Sequence, residues 1–190
     1  MEKKWMKGKL VAGVAAMSLA ACCMAAPAFA ADNATATTGT SNTTKVTLTA
    51  TDTQMKFTVP TVIAFNALAD GTLQGPSADS VQIVNQSVYP IHVTKVAASE
   101  QAPFKLVTNV ATASDANAVS FTMTTGSTTV DAATGKDTSA VADYNLGYAG
   151  SGSETLSIAT AGNLARANAD LSTAQQIATV TWTLAPGAAK

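Results

Sequence analysis

His92 is the one imidazole in the chain, and it stands between Ile91 and Val93. To act as a general acid or base it would need a carboxylate or hydroxyl within hydrogen-bond reach, and no local motif supplies one. A nucleophile elbow of the form G-x-S-x-G is also missing. On the polar phase of a strand, such a histidine reads first as structural. The acidic residues are scattered. Asp131, Asp137 and Asp143 bracket a Gly-containing loop, without the D-x-[DN]-x-[DN]-G order that wraps calcium. Gly147, Gly150 and Gly152 follow no strand–helix unit that could cradle a phosphate. Tyr144 and Tyr148 could stack on a sugar ring, and equally could fill a core. Nothing selects a carboxylate pair for glycoside hydrolysis. The expectation is a protein that is not an enzyme, with no catalytic, cofactor-binding or metal residues and no cofactor.

Cysteine chemistry is excluded by position. Cys22 and Cys23 are the only cysteines, and both lie in an apolar N-terminal run. Zinc sites, iron–sulfur clusters, a disulfide framework and a Cys–His nucleophile therefore have no residues to draw on.

That run has the grammar of a secretory leader. Lys3, Lys4, Lys7 and Lys9 make a positive start, and Leu10 to Met24 is uncharged and mostly apolar. Pro27 then precedes Ala28-Phe29-Ala30, the small-x-small pattern of signal peptidase, which places cleavage before Ala31. Leu19-Ala20-Ala21-Cys22 offers a second processing site, because it resembles a lipobox with Cys22 as the lipidated residue. The residues after Cys22 stay apolar through Ala31, however, where a lipid-tethered chain usually turns polar at once. The apolar run is also shorter than the ~20 residues of a membrane helix, so no transmembrane domain is expected in the mature chain.

Removing residues 1–30 takes away four Lys and Glu2. Of 11 basic and 12 acidic residues, 7 and 11 remain, a net charge of −4. With only 12% of its residues charged and no basic patch, the chain is not built to hold nucleic acid or anionic lipid.

The elements that must position these side chains are strands. Residues 31–44 form a Thr/Ala-rich tail without large apolar residues, expected to be flexible. From Lys45 the pattern becomes period-2. Val46, Leu48 and Ala50 alternate with Lys45, Thr47, Thr49 and Thr51, and Met55, Phe57 and Val59 repeat the alternation up to Pro60. Val62 to Phe65 is a continuous apolar run, expected as a strand covered on both faces. Asp70-Gly71 and Gly75-Pro76 mark turns. Further strands are expected at Val81–Val84, Val88–Val96, Phe104–Val107, Ala118–Thr124, Val130, Tyr144–Tyr148, Thr155–Thr160 and Gln176–Leu184. Along Val88–Val96 the alternation sets Ile91, Val93 and Lys95 on one phase, and His92, Thr94 and Val96 on the other. Only residues 163–176 read as a helix, with Asn163 as a possible cap. Short strands at roughly ten-residue spacing predict an all-β fold, an antiparallel β-sandwich (jelly-roll or immunoglobulin-like) with long Gly/Ser/Thr loops. The expected partition is leader 1–30, tail 31–44, β-sandwich 45–186 and C-terminal tail 187–190.

The final strand carries the most specific signal. Val180-Thr181-Trp182-Thr183-Leu184-Ala185-Pro186 resembles the C-terminal Trp-x-Leu element of WxL-domain surface proteins of Gram-positive bacteria. The resemblance implies a β-rich, non-catalytic binding or adhesion protein, extracellular and held non-covalently on the cell wall. It implies peptidoglycan or other surface proteins as partners, and a wall-contact sheet bearing Trp182 and Leu184. The same Trp182 equally suits the large anchor of a sandwich core. A second functional class stays open: a structural subunit of a filament or matrix, self-associating by addition of its N-terminal strand to a neighbour's sheet. Intact-mass analysis of the exported protein should find Ala31 at the N-terminus, with Cys22 removed. A diacylglyceryl Cys22 at the N-terminus would overturn that cleavage site.

Overall fold

The computed structural model describes Leu48, Ala50 and residues 52–190, so the leader, the 31–44 tail, Cys22 and Ala28 to Ala31 lie outside the described residues. The Thr-rich alternation resolves into thirteen strands: β1 (Phe57–Thr58), β2 (Asn66–Ala67), β3 (Thr72–Gln74), β4 (Gln82–Asn85), β5 (Ile91–Glu100), β6 (Lys105–Leu106), β7 (Ala118–Thr125), β8 (Thr128–Asp131), β9 (Lys136–Asp137), β10 (Asn145–Leu146), β11 (Thr155–Ser157), β12 (Ala159–Ala165) and β13 (Ala178–Pro186). No α-helix occurs among the described residues, and the fold is all-β and sandwich-like.

Three sheets share one core. The first runs β1-β4-β11, and the second runs β10-β5-β13 with β9 also on β5. The third runs β2-β3-β12-β7-β6 with β8 also on β7. All pairings are antiparallel except β6 with β7. Ile83 and Leu156 enter the core from the first sheet, Ile91, Val93, Val96, Leu146 and Leu184 from the second, and Leu73, Val119, Phe121, Met123 and Val130 from the third. The chain from Thr155 to Ala165 joins two of them. Its first part pairs with β4 and its second with β7 and β3, and the change falls at buried Ile158, whose N–H donates to Val81 O at 2.9 Å. Strands that switch sheets in this way make the corners of a sandwich. Gly162 lets β12 lie close to β7, since a Cβ there would stand 2.6 Å from Ser120 O.

Buried amides tie the loops to this frame. Asn85 Nδ2 donates to Tyr89 O at 2.9 Å and Gly147 O at 2.7 Å, while its Oδ1 accepts Ser87 N–H at 2.8 Å. Asn117 adopts φ 57, a left-handed conformation that Asn tolerates better than most residues. Its Oδ1 accepts the N–H groups of Asn168 and Ala169 at 2.8 and 3.0 Å.

That second amide explains a departure from the sequence reading. Residues 163–176 are not a helix. Asn163–Ala165 complete β12, Arg166 turns to φ 49, and the donors that would start a helix are taken by Asn117. Asp170 then accepts Ser172 N–H at 2.9 Å, a local bond that competes with helix formation. Val62 to Phe65 is not a strand either. Ile63 and Phe65 pack inward, Phe65 against Phe121 with ring centroids 5.7 Å apart, while Val62 is 76% exposed. The run coats one side of the core instead of being covered on both. In the C-terminal tail 187–190, Gly187 N–H donates to Pro90 O at 2.8 Å and Ala189 N–H donates to Asn145 Oδ1 at 2.6 Å.

The β7–β8 hairpin turns through Gly126-Ser127, with Gly126 at φ 56 in the first central position, where a type II′ turn calls for glycine. Asp143 secures the turn. Its Oδ2 accepts Ser127 Oγ–H, Thr128 Oγ1–H and Ser127 N–H, each at 2.9 Å, and these bonds hold its carboxyl below the usual carboxylate range. A depressed folded-state value contributes stability at neutral pH that is lost as pH falls through it. Asp143→Ala should therefore unfold at lower denaturant than the parent at pH 7. The gap should close as pH drops below about 4, which urea titrations across that range would measure.

Candidate functional site

The residues singled out for chemistry are kept apart. Asp131 caps Ala133 N–H at 2.8 Å, Asp137 accepts both Ser139 N–H at 2.9 Å and Oγ–H at 2.6 Å, and Asp143 serves the hairpin. Among the described residues, no three His, Cys, Asp or Glu side chains gather as metal ligands would. Tyr144 is fully buried, which pushes its phenol up, while Tyr148 is 54% exposed, so the two do not form a stacking platform. Gly150 and Gly152 sit in open turns at φ 85 and 81, with no helix after them to face a phosphate.

What the structure does assemble is the sheet of β5 and β13. The two strands pair from Ala178↔Glu100 to Pro186↔Ile91, and one irregularity falls where Thr183 faces Lys95 and Leu184 faces Val93. Thr94 is thus an extra residue on β5, a β-bulge. It corrects the phase read from the sequence. Strict alternation from Ile91 and Val93 would carry Lys95 into the core and leave Val96 outside. After the bulge Val96 is fully buried and Lys95 is exposed.

A bulge interrupts the ladder, and Thr138 repairs it. β10 pairs with Ile91 and His92, and β9 with Lys95 and Val96, which leaves Val93 and Thr94 between them without a strand partner on that side. Thr138, wholly buried, enters this gap. Its Oγ1–H donates to Val93 O at 2.6 Å and its N–H to Thr94 O at 2.9 Å. From the other side Thr94 Oγ1–H donates to Thr183 O at 3.2 Å. No sequence motif marks Thr138, and its role exists only once residues far apart in the chain are brought together.

His92 is part of the same clamp. Its Nδ1 lies 2.9 Å from Gly187 O, and since a carbonyl only accepts, Nδ1 carries the proton there. The histidine fastens the chain after β13, the structural role expected of it. It also borders an open cleft of about 740 Å³ with Tyr89, Pro90, Pro186 and Lys190, into which Leu48 and Ala50 also reach.

Along β13 the side chains divide cleanly. Thr179, Thr181 and Thr183 are exposed, while Ala178, Val180 and Trp182 are half-buried and Leu184 is buried. Trp182 packs against the core without being enclosed by it, so it is not the fully buried anchor expected of a sandwich center. Neither a family model, nor a curated protein, nor a solved structure matches the chain. Thr138→Val keeps the shape but leaves Val93 O unsatisfied in a buried gap. It should cost about 1–3 kcal/mol in chemical denaturation, with the sheet retained by circular dichroism.

Proposed function

We propose that this protein acts outside the cell as a non-catalytic binding protein, holding its partner through the sheet of β5 and β13. The observation that carries this reading is β13 itself, an uncharged nine-residue strand with an exposed row of Thr179, Thr181 and Thr183 beside half-buried Trp182. Threonine hydroxyls on a sheet face offer donors and acceptors without the strong hydration of charges, which suits a hydroxyl- and amide-rich polymer. The secretory pattern of residues 1–30 supports an extracellular address. Trp182-Thr183-Leu184 supports the cell wall as the place of retention, by its resemblance to the WxL element. The non-catalytic part of the reading rests on Asp131, Asp137 and Asp143, which are spent on turns and a hairpin. Among the described residues no helix is long and apolar enough to cross a membrane.

Purified peptidoglycan should pull the exported protein down, and the retained fraction should change little between low salt and ~0.5 M, since exposed charge contributes little to the contact. Thr181→Arg, which alters only the outward row, should lower retention at least about threefold. Protein left wholly in the supernatant would remove the wall-binding reading.

A further inference from the structure

Every sheet in this fold has edges, and all but one are blunted. Among the described residues β1, β2, β6, β9 and β10 offer two residues each, β11 three and β8 four. β9 is Lys136-Asp137 and β6 begins with Lys105, so charge guards two of them. β13 is different. It presents nine residues, carries no charged side chain, and among the described residues pairs with β5 alone. Gln101 N–H donates to Ile177 O at 3.0 Å, which sets the phase of the ladder. In an antiparallel pair the next residue and every second one after it turn their N–H and C=O away from the partner. The backbone groups of Ala178, Val180 and Trp182 therefore face outward, ready for another strand.

The sequence also holds a second strand-like pattern. Residues 45–51 have the clean alternation of Val46, Leu48 and Ala50 against Lys45, Thr47, Thr49 and Thr51, which matches the apolar–Thr pattern of β13. Leu48 and Ala50, the two of these that the structure describes, lie outside any strand, and Leu48 is 97% exposed. The turn Asp52–Gln54 that follows packs beside β13, and Leu48 lines the same cleft as Pro186 and Gly187 at its end. Within one copy, then, Leu48 lies by the end of the long edge and stays bare.

We infer that residues 45–51 of one copy add as a strand to the β13 edge of a second copy. This rests on the reading of β13 as a contact strand, and adds to its threonine face a second contact, its edge, filled by another molecule of the same chain. Donor segment and acceptor edge are different surfaces, so the contact is head-to-tail and each dimer keeps one free donor and one free edge. Such contacts propagate into filaments unless the rotation between copies closes a ring. Backbone hydrogen bonds supply affinity in this mode, and alternate side chains supply register.

Two one-sided variants test it. Removal of residues 45–51 leaves an acceptor without a donor. Val180→Pro leaves a donor whose edge lacks an outward N–H and carries a ring where the new strand would lie. By light scattering the parent protein should grow in size with concentration, and electron microscopy should show filaments. Each variant alone should stay monomeric, and their equimolar mixture should stop at dimers. Should Val180→Pro lose its β spectrum, Leu48→Asp replaces it as a test, because Leu48 lies outside the packed core; it should weaken assembly at least about tenfold. A parent protein that stays monomeric, or Leu48→Asp assembly equal to the parent's, would overturn the inference, as would protection of Leu48 within a monomer. Retention of a monomer on peptidoglycan would overturn self-assembly alone. Filaments that peptidoglycan does not retain would remove only the wall-binding reading.

Discussion

The second sheet faces the core as it does because of the bulge at Thr94, which is backed by the hydrogen bond from Thr138 to Val93 O. That bond stabilizes an extra residue in β5, and that residue decides which half of the strand faces inward. Without it the chain would have to bury Lys95 or expose Val96, since a one-residue shift moves every following side chain to the other face. The pairing of Trp182 with Val96 and of Leu184 with Val93 follows from the same choice. The bulge thus fixes which faces β5 and β13 turn inward, and β13 is the only long edge among the described residues.

A chain with so few charges has little electrostatic means of specifying its fold. Its one ion pair among the described residues, Lys105 with Glu100, is exposed on both sides, and such pairs contribute little. Specificity comes instead from buried hydroxyls and amides. Asn85, Ser87, Asn117, Thr125 and Thr138 are the buried polar residues, and each has hydrogen-bond partners in a loop or strand remote in sequence. Threonine serves both sides of this arrangement. Its methyl and β-branch favor strands, and its hydroxyl meets water or a stray carbonyl without bringing charge.

These two layers differ in how far they could be read from sequence. β5, β7 and β13 were legible because a half-buried strand writes its burial as alternation, and Val119, Phe121 and Met123 sit inward as that alternation implies. The short hairpin of β2 and β3 was legible only as turn chemistry at Asp70-Gly71, since two- and three-residue strands carry no period. The bulge at Thr94, the false helix at 163–176 and the sheet change at Ile158 were not legible at all. Each depends on a partner brought near by the fold: Thr138 lies 45 residues from Val93, and Asn117 lies 51 from Asn168. Of the candidate site, the outward threonines and Trp182 were visible in the spacing of the last strand. The openness of that strand was not, because an edge is defined by what fails to pair with it.

The position of β13 at the end of the chain also bears on when the molecule can fold. β5 emerges early in synthesis, yet its long partner comes last, so the central pairing joins residues 91–100 to residues 178–186. Closing so wide a loop delays the reward for the entropy it costs, and folds dominated by such pairings form slowly. Until β13 pairs, one edge of β5 has no partner strand, and Leu184 cannot enter the core. The β5–β13 pairing is therefore expected among the later steps of folding.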